Sequence, residues 1–321
     1  MKAIQVTHTG GPEVLDYVDL PDPLPGPGQV LVDVQSIGVN FMDVYNRSGL
    51  YPVNLPLVPG GEAAGIVAKV GTGVEEFQVG DLVASASIPQ SYAEKAVVPA
   101  DRLVRVPNGV DPQVAAAAML QGLTAHYLCH STYPLKAGET ALIHAGAGGV
   151  GLLLIQMAKM LGATVITTVS TDQKAALAKE AGADHTILYT KQDFAEEVLR
   201  ITNGEGVPVV YDAVGVTTFD KSLECLRPTG YMVLYGQSSG AVPPISPFTL
   251  QRKSLFLTRP GLGHYTATRE DLLTRTKSIF DWLADGSLKL LIHGTFPLHD
   301  AAEAHRQLEG RQTAGKLLLA P

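Results

Sequence analysis

Two textures of apolar and polar positions divide the chain. Over roughly the first 120 residues, short apolar runs are broken by glycine and proline. The stretch Pro21-Asp22-Pro23-Leu24-Pro25-Gly26-Pro27-Gly28 is excluded from helix and from inner strands, because proline removes a donor and fixes φ. It leads into Val30-Leu31-Val32-Asp33-Val34, a β-branched run that predicts a strand. Residues 61–71 read as a second strand, with small residues where the chain must pass close to a neighbour. Residues 79–83 read as a turn entering a third strand. Short strands at this spacing predict a small barrel or sandwich.

The second texture starts near Asp111. Asp111-Pro112-Gln113 followed by alanines gives a cap, a proline in the first helical turn and strong helix formers. From Glu139 onward strands and helices alternate. Strands are predicted at 141–145, 164–169, 185–188, 207–214 and 230–235, with helices at 150–161, 173–181, 194–202 and 218–226 between them. This alternation means βαβ units on a parallel sheet. A last helix carries Leu272, Thr276, Ile279, Phe280 and Leu283 on one face, and the chain then returns to strand-like pieces that end at 315–319. The expected class is α/β, a small barrel plus a parallel sheet.

Composition narrows the field. The 321 residues hold 24 Lys+Arg against 31 Asp+Glu, a net charge of −7 that offers no footprint for nucleic acid or anionic membrane. Two cysteines rule out a disulfide scaffold and any four-cysteine zinc site. The start, Met1-Lys2-Ala3-Ile4-Gln5-Val6, turns polar at once, unlike a signal peptide, and no apolar run approaches the ~20 residues that span a bilayer. The expected location is the cytoplasm.

The sharpest local signal is His144-Ala145-Gly146-Ala147-Gly148-Gly149-Val150-Gly151. Gly146, Gly148 and Gly151 satisfy G-x-G-x-x-G between a predicted strand and a predicted helix. That context predicts a tight turn at Gly146, backbone approach to a pyrophosphate at Gly148 and close helix packing at Gly151, with Gly149 and Val150 at the helix N-terminus. An acid at the end of the next strand would hold a ribose 2′-OH. Here the position is Ser170, followed by Thr171, Asp172, Gln173 and Lys174. Hydroxyls and a lysine suit a 2′-phosphate and therefore NADPH, and Asp172 reads as the N-cap of the following helix.

These residues resemble the quinone oxidoreductase (ζ-crystallin-like) branch of the medium-chain dehydrogenase/reductase superfamily. The resemblance runs through Gly10-Gly11-Pro12-Glu13-Val14-Leu15, Gly38-Val39-Asn40-Phe41-Met42-Asp43, Arg47-Ser48-Gly49-Leu50-Tyr51-Pro52, Pro59-Gly60-Gly61-Glu62-Ala63-Ala64-Gly65 and Gly122-Leu123-Thr124-Ala125. It continues from Gly138 to Lys159 and includes Gln156. It is similar to the bacterial NADPH:quinone reductases, with one departure at Gly146, where alanine is more usual and a looser turn is expected. The resemblance implies a GroES-like barrel over 1–122 and 265–321, with a Rossmann NADPH-binding domain over 123–264 inserted into it. It also implies a cleft between the domains and a homodimer.

Zinc dehydrogenases of the superfamily carry cysteine where Asn40 stands and histidine where Gly61 precedes Glu62, so no metal is expected. His126, Cys129 and His130 are the rival cluster, with no third histidine or carboxylate nearby in sequence. The resemblance implies Asn40, Tyr45 and Tyr51 as catalytic residues: Asn40 as an amide donor, the tyrosines as stacking surfaces and hydroxyl donors. It places 40–44, with Phe41, Met42, Asp43 and Val44, as a loop against the cofactor. It adds Tyr127, Tyr189, Tyr235, Gly236, Gln237 and Ser238 as cofactor contacts, and Lys316 as a phosphate contact. Arg259 reads either as part of the cofactor site or as an interface residue. The implied reaction is hydride transfer from NADPH to a quinone. Reduction of a 2-alkenal or enone double bond is the alternative, and RNA binding is disfavoured by the acidic balance.

Overall fold

A computed structural model describes residues 1–321, and its chain divides into two compact units, Met1–Gly122 with Thr268–Pro321, and Leu123–Ala267. In the first unit β1 (Lys2–Gln5) pairs antiparallel with β2 (Asp16–Asp19). β3 (Gln29–Val39) is the spine, followed by α1 (Phe41–Ser48), β4 (Ala63–Val70), β5 (Leu82–Ser85), β6 (Lys95–Pro99) and β7 (Val104–Arg105). α2 (Pro112–Tyr127) opens on the predicted proline and runs past Gly122. Gly65 is where β4 crosses β3 closely: an added Cβ would run into the Asp33 carbonyl.

The second unit is the predicted alternation. It contains β8 (Thr140–Ile143), α3 (Gly149–Met160), β9 (Thr164–Val169), α4 (Asp172–Glu180), β10 (His185–Leu188), α5 (Phe194–Ile201), β11 (Val207–Asp212), α6 (Phe219–Cys225), β12 (Leu226–Leu234), α7 (Phe248–Gln251), β13 (Phe256–Thr258) and α8 (Leu262–Tyr265). The sheet runs β10-β9-β8-β11-β12-β13, and each recorded pairing is parallel. The chain leaves β8 toward one edge and resumes from β11 toward the other, so β8/β11 is the point where strand order reverses. Ligands of open parallel sheets sit beyond the carboxyl ends of the strands at such a point. Leu142, Ile166, Val210 and Met232 on the sheet bury against Phe194, Val198, Phe219 and Leu223 of the helices.

The chain then returns to the first unit through α9 (Arg269–Ala284), β14 (Ile292–Pro297), α10 (Ala301–Glu309) and β15 (Lys316–Ala320). Of the predicted face of α9, Leu272, Thr276, Ile279 and Phe280 are buried. β15 slots between β14 and β3 in the order β14-β15-β3-β4-β5-β7, with β6 also on β3.

Two expectations are corrected. Residues 40–44 are not a loop: Asn40 is the N-cap and Phe41–Ser48 a helix closed by left-handed Gly49, φ 79°. Asp43 supplies the reason, since its carboxylate takes the Asn40 N–H at 2.9 Å, half of a capping box. The tail is not all strand either, because Ala301, Ala304 and His305 recur at helical spacing and bury one face of α10.

Candidate active site

The glycine turn follows β8 at the reversal point. Its left-handed residue is Ala145, φ 56°, rather than a glycine. Gly148 is the N-cap of α3 and offers no side chain, so the first-turn N–H groups of Gly149, Val150 and Gly151 have no side-chain cap. A Cβ at Gly151 would strike the Ala145 carbonyl and would itself lie 2.9 Å from the Gly146 Cα. A helix N-terminus stripped of side chains at this point of the sheet fits a pyrophosphate. The expectation of a looser turn at Gly146 is corrected: its missing Cβ makes room for Thr167, whose Cβ and Cγ2 would lie 2.9 Å away. The Thr167 hydroxyl is itself fixed, donating to Ile143 O at 2.6 Å.

Ser170 to Lys174 follow β9. The N-cap of α4 is Thr171, whose Oγ1 accepts from Lys174 N at 3.2 Å; Asp172 is the first helical residue, so its reading as the cap is corrected. Asp172 instead pairs with Lys191 at 3.1 Å. Partial burial holds the Lys174 ammonium below the usual lysine range. Tyr189 lies just past β10, exposed, its N–H on Val169 O. Tyr235 to Ser238 follow β12, with Tyr235 and Gly236 donating backbone N–H to Asp212 O and Ser238 to Ala213 O. Tyr127 stacks on Tyr265 with ring centroids 4.3 Å apart and planes 5° from parallel. Burial keeps its hydroxyl protonated. Arg259 donates to Leu234 O at 2.9 Å.

Two buried residues that the sequence pattern does not single out, Asp212 and His144, organise the loops beside this turn. Buried Asp212 accepts from the N–H groups of Val214 and Gly215 and from the hydroxyls of Thr218 and Ser222, which fixes the loop after β11. His144 bridges Thr168 Oγ1 and Ser222 Oγ at 2.9 Å each, and burial holds it below the usual histidine range. A histidine and an aspartate ending two adjacent strands were the available signal.

In the first unit α1 gathers the remaining candidates. Phe41, Tyr45 and Tyr51 form an aromatic run, with Tyr45 and Tyr51 ring centroids 5.4 Å apart in an edge arrangement. Met42 is exposed and Val44 buried. Asn40 does not serve as the expected donor. Its Nδ2 donates to Glu62 Oε2 at 2.8 Å and to Gly38 O at 3.2 Å, which uses both amide hydrogens. Lys316 is corrected as well: it is completely buried, and its Nζ donates to Asn40 Oδ1 at 2.7 Å and to Glu62 Oε2. A sealed ammonium paired with a carboxylate is no phosphate contact.

Asp43 Oδ2 also accepts from the Tyr92 hydroxyl at 3.1 Å, and burial pushes its carboxyl up to about 7. Tyr92 meets His305 Nε2 at 3.0 Å, and His305 Nδ1 meets Arg47 Nη1 at 3.1 Å. A guanidinium can only donate, so Nδ1 accepts, Nε2 carries the proton, and the tyrosine hydroxyl points to Asp43. Burial, with Arg47 alongside, holds His305 down to about 3. The His126 and His130 ring centroids lie 4.4 Å apart with their planes tilted by 30°, and no group of three His, Cys, Asp or Glu side chains is placed to hold a metal ion.

The chain matches two family models, alcohol dehydrogenase GroES-like domain over residues 26–108 and zinc-binding dehydrogenase over residues 149–276. It is 46% identical to a quinone oxidoreductase of Pseudomonas aeruginosa, across 100% of this chain and 99% of that protein. It is 44% identical to a 2-haloacrylate reductase of a Burkholderia species, across 99% of this chain and 98% of that one. The structure superposes with TM-score 0.98 on Escherichia coli quinone oxidoreductase complexed with NADPH, 44% identical and covering both chains completely.

Proposed function

This chain belongs to the quinone oxidoreductase branch of the medium-chain dehydrogenase/reductase superfamily, with a GroES-like and a Rossmann part, and from that premise we propose that it reduces quinones with NADPH. The carrying observation is the uncapped N-terminus of α3 beside Gly146, Gly148 and Gly151, at the reversal point of the parallel sheet. Bound NADPH supplies the hydride. Gly148 to Gly151 hold its pyrophosphate by backbone N–H groups. Ser170, Thr171 and Lys174 take the 2′-phosphate, because the only acid among them, Asp172, is engaged by Lys191. Tyr127, Tyr189 and Tyr235 to Ser238 complete the cofactor set.

The unit carrying α1 is the catalytic one, and Leu123–Ala267 the NADPH-binding one. Tyr51, half-buried and edge-on to the buried Tyr45 ring, offers an aromatic edge and a hydroxyl to a flat acceptor, with Tyr45 backing it. Hydride plus one proton turns a quinone into a hydroquinone, and the proton comes from water or a tyrosine hydroxyl. Asn40 contributes by position, since its amide hydrogens are spent. The zinc ligand positions of the superfamily hold Asn40 and Gly61, and the Lys316 ammonium lies against Asn40 and Glu62; this fits metal-free transfer.

NADPH oxidation measured with 1,4-benzoquinone and phenanthrenequinone, beside 2-alkenals, enones and 2-haloacrylate, tests the reading. Turnover confined to the carbon–carbon double bonds overturns it and favours the second reading, double-bond reduction, which the Burkholderia relative's activity supports. A homodimer is proposed along edge strand β13, where Phe256 is 50% exposed and stacks on Tyr231. Light scattering of Phe256→Lys beside the unaltered protein tests it; equal masses overturn it. The free, buried thiols Cys129 and Cys225 suit the cytoplasm proposed for it. Fractionation of the source cells checks this.

A further inference from the structure

α1 starts from Asn40 and carries Tyr45, two residues of the proposed acceptor site, yet it is only eight residues long. Helices this short are marginal without outside support. That support comes from the far end of the chain. At the helix start, Lys316 of β15 donates to Asn40 Oδ1 and Glu62 Oε2, while Asn40 Nδ2 returns to Glu62 Oε2. The other Glu62 oxygen accepts the Leu120 N–H of α2. Both charged side chains are fully buried. Position 38 is glycine because a Cβ there would overlap the Glu62 carboxyl, with Cδ 2.6 Å away. At the helix end, Arg47 is held by Glu309 and His305 of α10.

A buried ion pair is a poor way to gain stability, because well-packed apolar residues often do as well or better. What it supplies here is direction. Two charges and one amide share three hydrogen bonds that are satisfied in a single arrangement, and the amide belongs to the residue that starts α1. We propose that Lys316 is a positioning residue of the acceptor site: with Glu62 it fixes the Asn40 side chain and so the start and orientation of α1. The inference rests on the proposed placement of the acceptor beside α1.

Removing Lys316 alone would strand a buried carboxylate and endanger folding. The test is therefore the charge-neutral pair Glu62→Gln with Lys316→Met in the full chain. Hydrogen–deuterium exchange of residues 40–48 is expected to speed up at least tenfold, with β3 and β4 unchanged. The NADPH dissociation constant is expected to stay within about threefold, and kcat/KM for the acceptor to fall tenfold or more. Unchanged exchange in 40–48, or turnover within twofold of the unaltered protein, overturns the proposal. So does an equal loss of NADPH affinity, which marks a general defect. If that pair does not fold, Glu62→Gln with Lys316→Gln replaces it under the same criteria, and failure of both to fold overturns the positioning role in favour of a purely structural one. Exchange is read without an acceptor, so it decides the inference even if the quinone assay fails.

Discussion

At the scale of single residues, the glycine turn shows how a motif can be legible while its mechanics are not. The spacing Gly146, Gly148, Gly151 names the turn, but the left-handed residue is Ala145, φ 56°. Gly146 is needed for a neighbour that lies 21 positions on, Thr167, and no local pattern reports that. Substituting Gly146→Ala overpacks a buried contact and is expected to cost about 1–3 kcal/mol. Thr167→Ala in the same chain removes the hydroxyl and methyl and is expected to recover most of that loss. Thermal melting of the single and double variants checks it: a double variant no better than Gly146→Ala would place the clash elsewhere. Lys174 gives a second residue-scale expectation. A charge-assisted contact to a 2′-phosphate contributes about 1.5–3 kcal/mol. Lys174→Ala should therefore weaken NADPH roughly tenfold or more while leaving NADH unchanged, by fluorescence titration. Equal loss for both cofactors would remove Lys174 from the phosphate site.

At the scale of elements, the signals for α1 are present in the sequence as Asn40, Asp43 and Gly49, a cap, an N3 acid and a left-handed stop, while the family resemblance points to a loop there. Its anchors were not legible, because Arg47 meets His305 and Asn40 meets Lys316 across more than 250 residues. These anchors set opposed pH dependences. The Asp43 carboxyl, pushed up to about 7 by burial, holds a proton in the folded chain that the unfolded chain has released above about 3.8. That contribution is present at low pH and fades as pH rises toward 7. His305, held down to about 3, stays neutral while the unfolded histidine protonates below about 6.5, so its contribution is lost as pH falls. Buried His144 acts in the same direction as His305. Each unmatched proton changes stability by about 1.4 kcal/mol per pH unit, on the order of 3 °C in Tm at this size. Asp43→Asn is expected to lose more Tm than the unaltered protein on going from pH 7 to pH 5, and His305→Gln to lose less. Parallel Tm-versus-pH curves for all three would show that these groups titrate as they do in the unfolded chain.

At the scale of the whole molecule, the alternation of strands and helices from Glu139 to Leu234 is legible because βαβ units are local in sequence and strongly patterned. The first unit was less so: β3 pairs with β4, β6 and β15, and the last of these lies at the other end of the chain. That asymmetry makes a prediction about fragments. Residues 123–267 contain every strand of the six-stranded sheet and a core of their own. Residues 1–122 lack β14 and β15, so the spine strand loses its β15 partner at Ile37, Gly38 and Val39. They also lack Lys316, leaving the Glu62 carboxylate buried without its counter-charge, a defect that costs several kcal/mol. Native stability is only about 5–15 kcal/mol. The 123–267 fragment is therefore expected to melt cooperatively by circular dichroism, and the 1–122 fragment to show no cooperative transition until residues 268–321 are supplied. A cooperative melt from 1–122 alone would mean that the tail is an accessory to the first unit, and that β3 and α1 are held by the N-terminal residues themselves.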